Sequence, residues 1–170
     1  MESKSAKLAL KLRKTDDFIV APGVYDMISA KMADSIGFDA LYMTGSGTVA
    51  SHLGVPDAGI ATYTDMVSRA GRVASGTNTP LIADADTGYG GLVNVRETVR
   101  GYEMAGVAAI QIEDQDFPKK CGHLSGHKLI PAEEMVTKIK VALDSRIFDE
   151  TLIIARTDAR KAIARDEAMR

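Results

Sequence analysis

The sequence predicts an α/β protein built on a parallel sheet, and three observations carry that prediction. Short β-rich apolar runs recur along the chain, helical patterns separate them, and polar or charged residues gather where each run ends. Strand and helix alternate five times. Such alternation calls for right-handed βαβ units, in either a doubly wound sheet or a (β/α)8 barrel.

The strands are expected at 18–21 (Phe-Ile-Val-Ala), 40–44, 80–84, 108–113 and 152–156, each a continuous apolar run of the kind that parallel sheets bury on both faces. Helices are expected at 26–37, 64–76, 94–106 and 131–145. Each opens on a capping or first-turn residue, Asp26, Thr64, Asn94 or Pro131, and the first three close on glycine. In the last, Met135, Val136, Ile139 and Leu143 form one apolar stripe, with Glu133 and Glu134 in the first turn where the helix dipole favours acids.

Length narrows the choice of architecture. A barrel of eight units takes about 250 residues and rarely fewer than roughly 200, whereas the 170 residues here hold about five units and stop inside a helical pattern after the fifth strand. The expectation is the N-terminal part of a longer barrel. The alternative is a complete five-stranded sheet. With 45% hydrophobic and 26% charged residues the composition is that of an ordinary globular domain. A net charge of −2 gives no bulk attraction for nucleic acid or membrane surfaces. No run approaches the roughly 18 apolar residues of a spanning helix, and 1–14 lacks the apolar core of a secretion signal. A single cysteine, Cys121, fits a reducing, cytoplasmic-type compartment.

The strand ends carry the chemistry. In 80–91 an apolar run delivers Asp84 and Asp86 into a glycine-rich turn, and alternation along a strand places residues i and i+2 on one face. Two carboxylates sharing a small volume need a counter-charge, and hard oxygen ligands favour Mg²⁺ or Mn²⁺. The plainer reading is a loop-capping pair. Glu113, Asp114 and Gln115 follow the next strand, so acids converge from neighbouring strands, and Asp57 in the 54–59 loop is a further carboxylate in reach through water. Tyr42, Thr44, Gly45, Ser46 and Gly47 read as a loop whose small residues let N–H groups cradle a carboxylate or phosphate. Arg156 ends the fifth run, placed either to capture a carboxylate or to pair with Asp158.

Residues 117–127 have little hydrophobic pattern and several glycine or proline breaks, which reads as a mobile loop. Lys119, Lys120 and His123 flank Cys121, and neighbouring cations ready a thiol for proton exchange near neutral pH. Zinc held by Cys121, His123 and His127 is an alternative with only three ligands.

Five ordered motifs, at 42–47, 84–90, 112–115, 119–123 and 155–158, resemble those of the isocitrate lyase and phosphoenolpyruvate mutase superfamily. Lys-Lys-Cys-Gly-His at 119–123 is similar to the lyase branch, with 2-methylisocitrate and 2,3-dimethylmalate lyases closest. Gln111 stands where methylisocitrate lyases tend to carry histidine.

The resemblance implies that 1–170 is the N-terminal part of one (β/α)8 barrel, of the kind that assembles as a homotetramer. It implies Mg²⁺-dependent cleavage of a 2-hydroxy di- or tricarboxylate to a 2-oxo acid and a second carboxylate. Asp84 would ligate the metal most directly, with Asp86, Glu113 and Asp57 behind waters. Tyr42, Thr44, Gly45, Ser46, Arg156, Gly122 and His123 would bind substrate. Cys121, Arg156 and Tyr42 would be catalytic, the thiol as proton donor. Oxaloacetate acetylhydrolase and phosphonomutase chemistry are alternatives within the superfamily. Outside it stand a haloacid-dehalogenase-like phosphatase, because Asp84-Ala-Asp86-Thr87 fits that group's motif, and a non-catalytic remnant.

Overall fold

The computed structural model describes residues 3–14 and 18–162. Five strands, β1 Gly23–Val24, β2 Leu41–Met43, β3 Leu81–Asp84, β4 Ala109–Glu113 and β5 Leu152–Arg156, lie side by side in sequence order. Every neighbouring pair is parallel. A doubly wound sheet reverses its strand order at a switch point. Here there is no reversal, so the sheet runs as the wall of a (β/α) barrel does. Around it come α1 Lys4–Leu12, α2 Met27–Ile36, α3 Gly45–Leu53, α4 Tyr63–Gly76, α5 Leu92–Met104, α6 Ala132–Asp144 and α7 Ala159–Ala162.

Alternation along the strands sorts the side chains into two layers. Leu41, Met43, Leu81, Ala83, Ile110 and Ile112 face the helices, buried with Met66, Ala70 and Val73 of α4 and Val95, Val99 and Tyr102 of α5. Each such large side chain contributes roughly 1.5–3 kcal/mol on burial. On the opposite face Ile82, Ala109, Leu152 and Ile154 form a smaller cluster, closed at its start by Leu8 of α1 with Ala40 and Ala108. That second face, followed to the C-terminal strand ends, carries Tyr42, Asp84, Gln111, Glu113 and Arg156. The register sets Tyr42 beside Ile82, Asp84 beside Gln111 and Glu113 beside Arg156.

Caps explain why the expected helices form where they do. Asp26 and Ser29 exchange side-chain-to-backbone bonds at the start of α2, and Gly37, at φ 87°, ends it in the left-handed conformation that glycine adopts freely. Thr62 and Asp65 do the same at the start of α4, so that helix begins just before the expected residue 64.

Three expectations are corrected. The first strand is not 18–21 but Gly23–Val24, because only the backbone after Ala21 meets β2; Ile19 and Ala21 pack against the inner cluster while Phe18 is exposed. Residues 45–47 are not a loop but the first turn of α3, capped by Thr44, whose hydroxyl accepts the Gly47 N–H at 3.1 Å. Helices α1 and α3 were not expected at all. The helical pattern predicted to continue to Arg170 begins as α7, and 163–170 lie outside the described residues.

Candidate active site at the C-terminal strand ends

A cavity of about 310 Å³ opens at the C-terminal ends of β2 to β5. Its wall holds Tyr42, Thr44, Gly45, Ser46, Asp57, Asp84 and Glu113 from the sheet side. Lys119, Lys120, Cys121, Gly122 and His123 close it from above, with Arg156 at one edge. Of the residues singled out from sequence for substrate or proton chemistry, all but Gly47 meet in this one space; the Gly47 N–H is taken by the Thr44 hydroxyl. Asp86 sits just behind.

Asp84 is buried at the end of β3. Its Oδ2 accepts the Gly45 N–H at 3.2 Å, so the N-terminus of α3 turns toward that carboxylate, and its Oδ1 accepts the Asp86 N–H at 3.0 Å. Asp86 comes close to Asp84 by a different route from the one that strand alternation predicts. The strand ends at Asp84, and Asp86 lies in the following turn with φ 49°, a left-handed conformation that aspartate tolerates better than most residues. Both carboxylates face Gly45, where a Cβ would stand 2.7 Å from Asp84 Oδ2.

The counter-charge among the described residues is Lys119, only 4% exposed. Its ammonium lies 2.7 and 2.9 Å from the two oxygens of Asp57 and also contacts Asp86. Burial works against that ammonium, but Asp86 and Asp57 hold it well above the ordinary lysine range. Asp86 is pushed up to about 6, by burial first and then by Asp84, against the pull of Lys119.

Glu113, at the end of β4, is the least satisfied acid. One oxygen, Oε2, lies 3.3 Å from the Arg156 guanidinium, and the other, Oε1, is buried without a hydrogen-bond partner. Burial and the Asp84 charge push Glu113 up to about 8, although Arg156 and Lys119 oppose them. A second positive charge is what this spot lacks. Arg156 is shared, because it also grips Asp158 through Nε and Nη2 at 3.1 to 3.2 Å. Arg156 thus pairs locally with Asp158 and also lines the cavity. Tyr42 accepts a bond from Gln111 Nε2 at 2.7 Å, and burial with the nearby Asp84 keeps its phenol well above the usual tyrosine range. It remains a proton-bearing donor.

The Cys121 loop is irregular but tied down. Cys121 N–H donates to the Asp57 carbonyl at 3.0 Å, and the thiol lies 3.6 Å from His123 Nδ1. Of the cations flanking Cys121 in sequence, only His123 meets the thiol. Lys119 points to Asp57 and Asp86, and Lys120 Nζ toward the Gly126 carbonyl at 3.4 Å. The zinc alternative also fails: His127 Nε2 meets the Cys121 carbonyl, at 3.1 Å. A Cβ at Gly122 would push Arg156 Nη2 out of its place.

Sequence reasoning missed Lys119 as a buried counter-ion, because a Lys-Lys pair in a polar loop gives no sign of burial. It also missed Tyr102, whose hydroxyl donates to the Asp84 carbonyl at 3.2 Å and bonds Tyr89 at 2.8 Å. The 3.6-residue pattern marks Tyr102 only as core. Among the described residues, no group of three or more His, Cys, Asp or Glu side chains is gathered closely enough to hold a metal ion by itself. No helix among them is long and apolar enough to cross a membrane.

Comparison with known proteins adds an independent observation. The sequence profile of the family described as phosphoenolpyruvate phosphomutase matches residues 9–170. A 2,3-dimethylmalate lyase of Eubacterium barkeri is 54% identical over 159 residues, 94% of this chain and 55% of that protein. A 2-methylisocitrate lyase of Aeropyrum pernix is 49% identical over 144 residues, 85% of this chain and 46% of that one. The chain thus spans about half the length of these curated relatives. Among solved structures, 2,3-dimethylmalate lyase in a trigonal crystal form superposes with a TM-score of 0.94 at 47% identity, covering 99% of this chain and 57% of that one. Oxaloacetate acetylhydrolase bound to 3,3-difluorooxalacetate gives 0.93 at 46%, covering 97% and 57%.

Proposed function

The chain belongs to the phosphoenolpyruvate mutase and isocitrate lyase superfamily, and on that premise we propose that it carries the active site of a divalent-metal-dependent carbon–carbon lyase. The substrate class is a 2-hydroxy di- or tricarboxylate, cleaved to a 2-oxo acid and a second carboxylate. One observation carries the reading: a thiol, a guanidinium and two buried acids, one of them Glu113 with an unpartnered oxygen, line a single cavity. A phosphatase that uses Asp84 as nucleophile has no need of that thiol, and the family match removes that alternative.

Asp84 and Glu113 fit a Mg²⁺ or Mn²⁺ ion. Glu113 Oε1 is an orphaned buried acceptor, and such ions take one or two carboxylates and fill the rest of their shell with water. Asp86 and Asp57, held by Lys119, would support that shell from behind. When bound, the ion supplies Lewis-acid polarisation of the 2-oxo acid oxygens. The chain's own residues do the rest. With the Gly45 and Gly47 N–H groups already given to Asp84 and Thr44, the Ser46 N–H at the start of α3 and the Tyr42, Thr44 and Ser46 side chains receive a carboxylate, helped by the positive end of the helix. As the carbon–carbon bond breaks, the 2-hydroxyl gives its proton to water and becomes the carbonyl of the 2-oxo acid, and Arg156 offsets the charge that grows on that oxygen. Cys121 hands its proton to the carbanion of the departing acid, with Gly122 and His123 shielding that exchange from water.

The test is release of a 2-oxo acid from 2,3-dimethylmalate, 2-methylisocitrate or isocitrate in the presence of Mg²⁺. Silence with all three substrates removes the lyase reading. Cys121→Ser should lower turnover by about 10²- to 10⁴-fold, the range of a positioned proton donor, with pyruvate binding retained. A second reading, hydrolysis of oxaloacetate, draws on the 46% likeness to oxaloacetate acetylhydrolase and predicts oxalate as a product. Homotetramer assembly belongs to the same proposal. It is supported by Ile28, Met32 and Ile36, which form an exposed apolar stripe along α2 and call for a covering partner. Light scattering on the purified protein checks it.

A further inference from the structure

Gln115 stands two residues beyond β4 and is 1% exposed, yet it lines no part of the catalytic cavity. Its amide is fully used. Oε1 accepts the Lys120 N–H at 3.0 Å, while Nε2 donates to the Lys120 carbonyl at 3.0 Å and to Asp158 Oδ2 at 2.7 Å. The amide orientation is unambiguous. Flipped, it would set N–H against N–H at Lys120 and oxygen against both the Lys120 carbonyl and the Asp158 carboxylate.

These bonds join two halves of the site. Lys120 immediately precedes the thiol residue, and Asp158 is the carboxylate that grips Arg156. Asp158 is itself fixed from the far side, its N–H donating to Asp114 Oδ1 at 3.0 Å, and the Thr157 hydroxyl donates to Asp114 Oδ2 at 2.6 Å. On the other flank, Asp57 holds Lys119 by its carboxylate and Cys121 by its carbonyl. Three consecutive loop residues are thus pinned from two sides, and Gln115 supplies the side that faces Arg156.

We propose that Gln115 is a positioning residue, pinning the Lys120 peptide to Asp158 and so setting the separation between the Cys121 thiol and the Arg156 guanidinium. The proposal rests on the lyase reading for its purpose, but its geometry is tested without substrate. Cys121 is the only cysteine in the chain, so alkylation by iodoacetamide reports on this loop alone.

Gln115→Glu keeps the shape and the bond from Lys120 N–H. It turns both donations into oxygen–oxygen contacts, one of them between like charges. The alkylation rate of Cys121 should rise about tenfold over the parent, as expected when one or two buried hydrogen bonds of the closed loop are lost. The double variant Gln115→Glu, Asp158→Asn exchanges donor and acceptor at the 115–158 contact, restores that bond while the Lys120 carbonyl still faces an oxygen, and should bring the rate part of the way back toward the parent. A role in packing alone gives no such rescue. If the parent turns over substrate, Gln115→Glu should lower kcat more than it raises KM, because a displaced thiol affects proton transfer rather than carboxylate binding.

Equal alkylation rates in the folded parent and Gln115→Glu overturn the proposal, as does a double variant as reactive as the single one. Should the Glu variant fail to fold, Gln115→Met removes all three bonds without adding charge, and the same rise is expected. Loss of folding in both variants would overturn the assignment by making Gln115 a determinant of the fold. Failure of the lyase reading shows separately, as absence of 2-oxo acid release from the parent.

Discussion

At the residue scale, Glu113 is an acid that the fold disfavours in its charged form, pushed up to about 8 from an ordinary 4.5 by burial and Asp84. Between those values the native state holds a proton that the unfolded chain has released. Stability without metal should therefore fall as pH rises from about 4.5 to about 8 and level off above. Urea midpoints across that range check the slope, and Glu113→Gln should flatten it. Added Mg²⁺ should release protons near pH 7, because a cation at Glu113 favours the carboxylate. Lys119 poses the opposite problem, a buried cation that both Asp57 and Asp86 depend on. Lys119→Met leaves Asp57 and Asp86 without their counter-charge and should destabilise by about 3–5 kcal/mol in denaturant titration. The acids were legible from sequence as a strand-end pattern. Their partner was not, because which of two adjacent lysines turns inward is decided by where Asp57 arrives from a loop about sixty residues away.

At the element scale, α3 joins architecture to chemistry. It starts at a Thr-Gly-Ser-Gly run that reads as a turn, since two glycines in four residues lower helix propensity. Thr44 as cap and the approach to Asp84 outweigh that preference. Gly45→Ala gains propensity, yet sets a methyl 2.7 Å from Asp84 Oδ2 and 3.2 Å from its carbon. The expected outcome is a folded protein whose Mg²⁺ affinity, measured by calorimetry, drops at least about tenfold, since the carboxylate must swing off its ligand position. Where capping chemistry is explicit, as at Asp26, the sequence shows the helix within a residue; at α4 the expected opening residue was Thr64 and the cap is Thr62. Helix α1 has a capping residue too, the Ser3 hydroxyl accepting the Ala6 N–H at 3.0 Å, but the cluster its Leu8 packs into, with Ala40, Ala108 and Ala109, exists only once the sheet has formed.

At the scale of the whole molecule, β5 is one of the two edges of the sheet among the described residues, β1 being the other, with Ala155 exposed. An uncovered parallel edge is a template for association. The 170-residue chain alone should self-associate in light scattering, and Ala155→Lys, a charge on that edge, should shift it toward smaller species. The sequence by itself determined the α/β class, the alternation of β2 to β5 with α4, α5 and α6, and the motifs that deliver acids, thiol and guanidinium to strand ends, because each rests on local periodicity or local turn chemistry. Only the tertiary structure decided that neighbours in sequence are neighbours in the sheet, that Lys119 serves Asp57 and Asp86 rather than the thiol, and that Gln115 reaches both Lys120 and Asp158. These are long-range pairings in which burial and charge select among partners that look equivalent along the chain.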